Sequence, residues 1–418
     1  MTAAGAVRSA ARASAVTVRS ARRSPPTSGR LARPPAAPAT ASARIAQVAN
    51  FYSPQSGGLR TTVDMLGRGY TEAGFERVLV VPGPTLRDEW TSAGRRITLP
   101  APILPGSGGY RVFANWRRVA AVLADLDIDR LEVSDKLTLW PLAAWATQRG
   151  VPSVLLSHER LDAILSPRLP SWVPLAQAAD RGNRRLAAEF PTVVATSTFS
   201  CEEWQRIGAR NLVKVPLGVD LATFRPEWPA RGDRPAVAEL ICVGRLSREK
   251  RPDLAVGALG ELLGAGVAAR LTIVGTGPEA ERLRAMAAGL PVRFTGHISD
   301  RRQVARLLAA ADIAIAPCPV ESFGLSVLEA LACATPVVCC NQGAAQELLT
   351  TGCGASAPPR PAALAAAIAS VLARRPAPVR SAARRQAEQF GWPATVAGML
   401  AAHRLPIPKL LAEMTRCG

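Results

Sequence analysis

Aromatic residues make up only 5% of this 418-residue chain, and no uninterrupted apolar stretch approaches a spanning length. The first shortage argues against a surface on which bases stack. The second leaves no candidate for a spanning helix, which needs roughly 18–20 apolar residues, so the expectation is a cytoplasmic protein, at most peripheral on the inner membrane face. Acidic residues are missing before Asp64, while nine arginines fall between Arg8 and Arg60, which accounts for about half of the net charge of +19. Most of that excess lies in a Ser/Pro/Ala/Arg-rich segment with no hydrophobic period, expected to be a disordered tail over residues 1–43. The segment has the composition of a transit peptide. A start codon assigned too early in a GC-rich bacterial gene is the preferred reading, because Arg far outnumbers Lys and Ala is abundant throughout. The eight cysteines show no C-x-x-C spacing, and several sit in apolar runs such as 336-PVVCC-340. They read as small hydrophobes in a reducing cytosol, not as a zinc or disulfide framework. The remaining positive charge is modest and dispersed. It suits an acidic ligand or an anionic membrane face, whereas nucleic-acid binding lacks its usual zinc spacing, basic helix or interleaved aromatics.

What is present is an alternation of short apolar runs and longer amphipathic segments. Strands are expected at 44–50, 77–81, 130–134, 153–157 and 192–197, with helices at 59–73, 114–124 and 138–149 between them. The stretch 216-PLGVDLATFRPEWPARGDRP-235 breaks the pattern and reads as an interdomain linker over 217–235. The alternation then restarts, with strands at 238–244, 270–275, 292–296, 312–317 and 335–340. Helices are expected between them at 252–265, 278–288, 300–310 and 324–334. Residues 360–390 read as helical and a last amphipathic segment follows from Trp392. The expected fold is therefore α/β, two facing Rossmann-like domains at 44–216 and 236–395 with a cleft between them, and a C-terminal helix and tail at 396–418. Ligands of such sheets bind outside the carboxyl ends of the strands.

The chemistry-bearing motifs fall at those ends. In 243-VGRLSREKRP-252 a strand stops at Gly244 and two cations follow, Arg245 and Lys250. A guanidinium fork and an ammonium at that spacing can grip a diphosphate, although a solvated loop would look the same. The sequence 274-VGTGPE-279 puts Gly275 between a strand and a helix start, where backbone can approach a ligand or make a plain turn. His297 in 296-GHIS-299 follows another strand end. The most specific stretch is 321-ESFGLSVLEA-330, with Glu321 before a helix start and Glu329 inside the helix. Free amides at Phe323, Gly324 and Leu325 would form an anion site, with one carboxylate at each end of the ligand. A buried Glu329 satisfied by neighbours is the competing explanation. In the first half, Gly57 and Gly58 open a helix, and His158 follows a strand into the same crevice. The run 125-DLDID-129 resembles a metal site in composition but precedes a strand, so a solvated turn is preferred.

Taken together, 242-CVGRLSREKRPD-253, 274-VGTGP-278 and 321-ESFGLSVLEALACATPVV-338 resemble the retaining nucleotide-sugar glycosyltransferases of family 4, of GT-B fold. The opening of the last segment is similar to that family's E-x7-E motif. Within the family, 132-EVSDKLTLWPLAAWA-146, 155-LLSHERLDAIL-165 and 215-VPLGVDLATFRP-226 resemble actinobacterial GDP-mannose-dependent α-mannosyltransferases of membrane glycolipids. The resemblance implies that Arg245 and Lys250 bind the diphosphate, Glu321 holds the donor sugar and Glu329 the ribose. It implies that the amides of Phe323, Gly324 and Leu325 reach phosphates and sugar, and that those near Gly275 and His297 reach the nucleotide. Gly57 and Gly58 would cap the diphosphate and His158 would touch the sugar or acceptor. The implied partners are a nucleotide sugar, a lipid or glycan acceptor and a membrane face, without nucleic acid. The donor is GDP-mannose, or as an alternative a UDP-sugar such as UDP-glucose. No divalent metal or other cofactor is implied, and transfer is by front-face attack with the donor phosphate taking the acceptor proton. A non-catalytic basic α/β protein binding nucleic acid is the rival of another class, recognised by strongly salt-dependent DNA binding.

Overall fold

A computed structural model describes residues 43–53, 57–104, 109–160, 162–163, 174–226 and 237–414. The expected tail at 1–43, apart from Ala43, and residues 227–235 of the expected linker lie outside these residues. Two sheets build the fold. The first holds β1 (Arg44–Val48), β2 (Glu76–Gly83), β3 (Arg87–Thr91), β4 (Gly94–Pro100), β5 (Arg130–Val133), β6 (Ser153–Ser157), β7 (Thr192–Ala195) and β8 (Leu212–Lys214). Their order is β3-β4-β2-β1-β5-β6-β7-β8, parallel except for the antiparallel β3–β4 pair. The second holds β9 (Ala238–Val243), β10 (Ala269–Val274), β11 (Val292–Gly296), β12 (Ile313–Ala316), β13 (Val337–Cys340) and β14 (Gly354–Ala357). It runs β11-β10-β9-β12-β13-β14, all parallel, the doubly wound order in which the direction of winding reverses between β9 and β12. Strands buried on both faces need continuous apolar runs, and β12 (IAIA) and β13 (VVCC) supply them.

Helices cover the sheets, several through one apolar stripe, while Leu325–Ala332 is buried nearly all round. Gly58–Glu72 buries Thr62, Val63, Leu66, Gly67 and Tyr70, spaced three or four apart, so one face meets the core. Cys201, Cys242, Cys318, Cys333, Cys339, Cys340 and Cys353 are buried free thiols packed as small side chains. Among the described residues no single helix is long and apolar enough to cross a membrane.

Three expectations gain detail from the structure. The helical stretch at 360–390 is two helices, Pro361–Leu372 and Pro376–Glu388, bent by 109°. The missing N–H and fixed ring of Pro376 end one helix and start the next. Residues 217–226, the first part of the expected linker, pack against the fold, since Leu217, Val219 and Phe224 are buried and Val219 bridges to Gly391. The boundary at 395 cuts through the helix Trp392–Ala402, which returns to the first half. Three close approaches seat that helix. A Cβ at Gly69 would lie 2.2 Å from Val396 Cγ2, one at Gly398 2.8 Å from Val215 Cγ1, and one at Gly218 2.5 Å from the Trp392 amide nitrogen. Just beyond it, the fully buried His403 places Nε2 3.3 Å from Glu132 Oε2, which also accepts from the Tyr70 hydroxyl at 2.8 Å. The other Glu132 oxygen accepts from Gln47 at 2.8 Å, so the buried carboxylate is multiply bonded.

Candidate active site

The reversal of strand order places the ends of β9 and β12 side by side, and the two segments singled out by sequence leave from those ends. After β9, 244-GRLSREK-250 turns through a short 3-10 helix, Arg248–Lys250. After β12 the chain reaches Glu321. Lys250 Nζ donates to Glu321 Oε2 at 2.8 Å. Burial alone would depress the Lys250 ammonium, but the adjacent Glu321 carboxylate outweighs it and holds the group above the ordinary lysine range. Cys318 lies in the same loop and donates through Sγ to the Glu249 carbonyl at 3.1 Å, fixing the two strand ends against each other.

Gly324 caps the helix Leu325–Ala332 with φ of +104°, a left-handed conformation that favours glycine. The carbonyl of Gly324 accepts from the Val327 and Leu328 amides, so the free N–H groups of this helix start lie upstream, over Phe323 to Ser326. Gly57 and Gly58 begin the facing helix, and a Cβ built at Gly58 would sit 4.0 Å from Leu325 Cδ1. Two helix N-termini thus meet across the crevice, each with positive dipole ends toward the space between them. At Gly57 a Cβ would meet nothing within 4 Å and φ is −71°, so neither packing nor backbone conformation demands glycine there.

From the first half, Tyr110 lies under Arg245, whose guanidinium carbon is 5.0 Å from the ring centroid. His158, half-buried, offers its carbonyl to the Ser322 hydroxyl at 2.6 Å, placing it one residue from Glu321. Its loop is held from below by Lys136, which donates to the Glu159 carbonyl at 2.6 Å and pairs with the buried Glu203. The structure therefore gathers Gly57, Gly58, His158, Arg245, Lys250, Glu321, Phe323, Gly324 and Leu325 around one crevice.

Glu329 stands apart from that group. It is buried, and its Oε1 accepts from Arg301 Nη2 at 2.7 Å. Burial pushes its carboxyl above the usual range, Arg301 offsetting part of the effect and Asp220 adding to it. The two glutamates thus answer to different cations and do not form an acid/base pair. His297 is exposed on the loop after β11. Gly275 makes a close approach to a neighbouring strand end. Its amide donates to the Gly296 carbonyl at 2.9 Å, and a Cβ there would fall 1.9 Å from the Gly244 carbonyl oxygen. The glycine is required by the approach of the neighbouring strand end, and its N–H is already used. Among the described residues no group of three or more His, Cys, Asp or Glu is arranged to hold a metal ion, and Asp129 of the acidic run accepts from the Arg44 amide at 2.6 Å.

Sequence reasoning missed Arg301, Tyr110 and Ser322. A signal for Arg301 did exist. It opens the helix Arg301–Ala310, where the dipole disfavours a cation, so a nearby carboxylate such as Glu329 is favoured as its partner.

Comparison with known proteins fits this geometry. Residues 56–223 match the family model described as Glycosyltransferase Family 4, and residues 238–374 the one described as glycosyl transferases group 1. A GDP-mannose-dependent alpha-(1-6)-phosphatidylinositol dimannoside mannosyltransferase of Mycobacterium tuberculosis is 47% identical over 381 residues, covering 90% of this chain and 98% of the relative. A D-inositol 3-phosphate glycosyltransferase of Geodermatophilus obscurus is 36% identical over 266 residues, 58% of this chain and 59% of that protein. Among solved structures, a sucrose-phosphate synthase from Thermosynechococcus elongatus superposes with a TM-score of 0.69 at 22% identity, over 89% of this chain and all of that one. That last likeness speaks for the fold alone, two facing Rossmann-like halves of GT-B type. With the relative at 47% identity covered almost end to end, the chain belongs to the family 4 glycosyltransferases.

Proposed function

We propose that the enzyme transfers a mannosyl residue from GDP-mannose to a lipid-linked mannoside of the phosphatidylinositol class, with retention of anomeric configuration. One observation carries this reading. Lys250 and the start of helix Leu325–Ala332 lie beside Glu321 at a strand-order reversal, and Arg245 leaves the same strand end as Lys250 and stacks on Tyr110, a place fit for a diphosphate that carries a sugar. The mycobacterial relative narrows the donor and the acceptor. In this reading the bond between the sugar C1 and the diphosphate oxygen breaks, and the acceptor oxygen bonds to C1 on the same face. Its proton passes to the departing phosphate. Arg245, Lys250 and the helix amides meet the negative charge that grows on the diphosphate, so the reading calls for no divalent ion. Glu321 accepts from sugar hydroxyls, and Glu329 from the ribose. The exposed Arg181, Arg184 and Arg185 on the helix Leu175–Glu189 would face anionic lipid on the cytoplasmic side of a membrane.

A thermal-shift panel of GDP-mannose, UDP-glucose and ADP-glucose tests the donor. GDP-mannose should stabilise the chain, and equally well with EDTA present. Stabilisation by UDP-glucose without any by GDP-mannose would overturn the assignment.

A further inference from the structure

At the end of β7 the sequence 196-TSTFS-200 turns into the helix Thr198–Gln205. Ser197 caps that helix, its Oγ accepting from the Ser200 amide at 3.0 Å. The hydroxyls of Thr196, Ser197 and Ser200, all on buried residues, converge on one acceptor in the opposite half, the carbonyl of Ser322. Ser197 reaches it at 2.6 Å, Ser200 at 2.9 Å and Thr196 at 3.3 Å. A carbonyl has two lone pairs and each hydroxyl one proton. Ser197 Oγ also lies 2.9 Å from Ser200 Oγ, so its proton is shared between that oxygen and the carbonyl, and the threonine is the longest of the three approaches. The first two amides of the helix, Thr198 and Phe199, both donate to the carboxylate of Glu347, each at 2.7 Å. Glu347 belongs to the second half, so the cap of a first-half helix is completed by the other half of the molecule. Ser322 itself donates to the His158 carbonyl.

Apart from those between Ser197 and Ser200, these bonds join the two halves; four of them end on Ser322, the residue after Glu321, and two on Glu347. We propose that Thr196, Ser197 and Ser200 are positioning residues, which hold the Ser322 peptide and thereby set the Glu321 carboxylate against the donor sugar when the halves are closed, with Glu347 latching the closure. Most of the proposed grip on GDP comes from the second half, through Arg245, Lys250 and Glu329, with Gly57 and Gly58 only capping the diphosphate, so loss of the latch should change GDP affinity far less than turnover. This inference rests on the transfer reaction proposed above.

The test is a split between turnover and nucleotide affinity, measured on the full chain. Ser200→Ala leaves the N-cap at Ser197 intact and should lower kcat for transfer by about tenfold or more, as a displaced catalytic group does. The Kd for GDP should stay within about twofold. Ser197→Thr, which keeps both hydroxyl and cap, should retain kcat within about twofold. Glu347→Ala changes an exposed residue and so leaves the core untouched; it should lower kcat about threefold to tenfold at unchanged GDP affinity. Unchanged kcat in a folded Ser200→Ala variant would overturn the inference, and so would a parallel fall of kcat and GDP affinity. Failure of the parent reading looks different, since the wild-type chain would then neither bind GDP nor use GDP-mannose. The same split, read with whichever nucleotide sugar the wild type does use, still decides the latch.

Discussion

Glu321 and Glu329 lie eight positions apart, yet one faces Lys250 and the other Arg301. Glu321→Gln removes the charge that keeps the Lys250 ammonium high while burial still pulls it down. Labelling of Lys250 by an amine reagent near pH 9 should therefore increase in this variant, and transfer should fall by about a hundredfold or more. Unaltered labelling would separate the two groups. Glu329 behaves oppositely to a surface carboxylate. Its folded-state pKa is raised, so between the unfolded value and the folded one the folded chain binds more protons than the unfolded chain. Its contribution is therefore favourable at low pH and is lost as pH rises through the folded value, leaving the ionised group a cost at neutral pH. Glu329→Gln should raise the melting temperature of the unliganded protein and weaken GDP binding by about tenfold, the value of one charged hydrogen bond. A lower melting temperature would show that the Arg301 pair more than compensates for burial. Both glutamates could be read from the sequence as ligand residues because they flank a strand-to-helix junction. Their cations are 71 and 28 positions away, and only the sheet order brings them near.

Two glycine sites at element ends looked alike in the sequence and differ in the fold. Gly275 is pressed against the Gly244 carbonyl with φ of +138°, whereas the space beside Gly57 is open. Gly275→Ala should thus cost several degrees of melting temperature, since neither its contact nor its backbone tolerates a side chain. Gly57→Ala should melt with the wild type and yet bind GDP-mannose about tenfold more weakly, because a methyl group would stand where the diphosphate approaches. Wild-type affinity in that variant would remove Gly57 from the site. A sequence cannot separate these cases, because the atom that excludes a side chain at Gly275 belongs to another strand. Element limits were legible where turn residues bound a short run, as at β6 after Pro152 and at β11 between Pro291 and Gly296, which match the expected spans. They were not legible at β3, whose residues RDEWT are mostly polar and which pairs only at the sheet edge.

For the whole molecule, the chain end returns to the first half. The helix Trp392–Ala402 is seated by Gly69, Gly218 and Gly398, and His403 docks beside Glu132 and Tyr70. Gly69→Leu should unseat that helix and lower the melting temperature by about 3–10 °C, the range for overpacking a core in a chain of this size. GDP affinity should be kept. The two-sheet plan was visible because most strands carry a short apolar run and alternate with helical segments, while the return crossing was not, since nothing local in 392–403 names its partner. The central claim is that this crevice transfers mannose from the proposed donor, and a radiolabel assay measures it most directly. Wild-type chain given labelled GDP-mannose and vesicles bearing phosphatidylinositol dimannoside should put label into the lipid fraction, and Glu321→Ala and Lys250→Ala should put in almost none. Labelled lipid from both variants at the wild-type rate, or from labelled UDP-glucose and not from GDP-mannose, would contradict it.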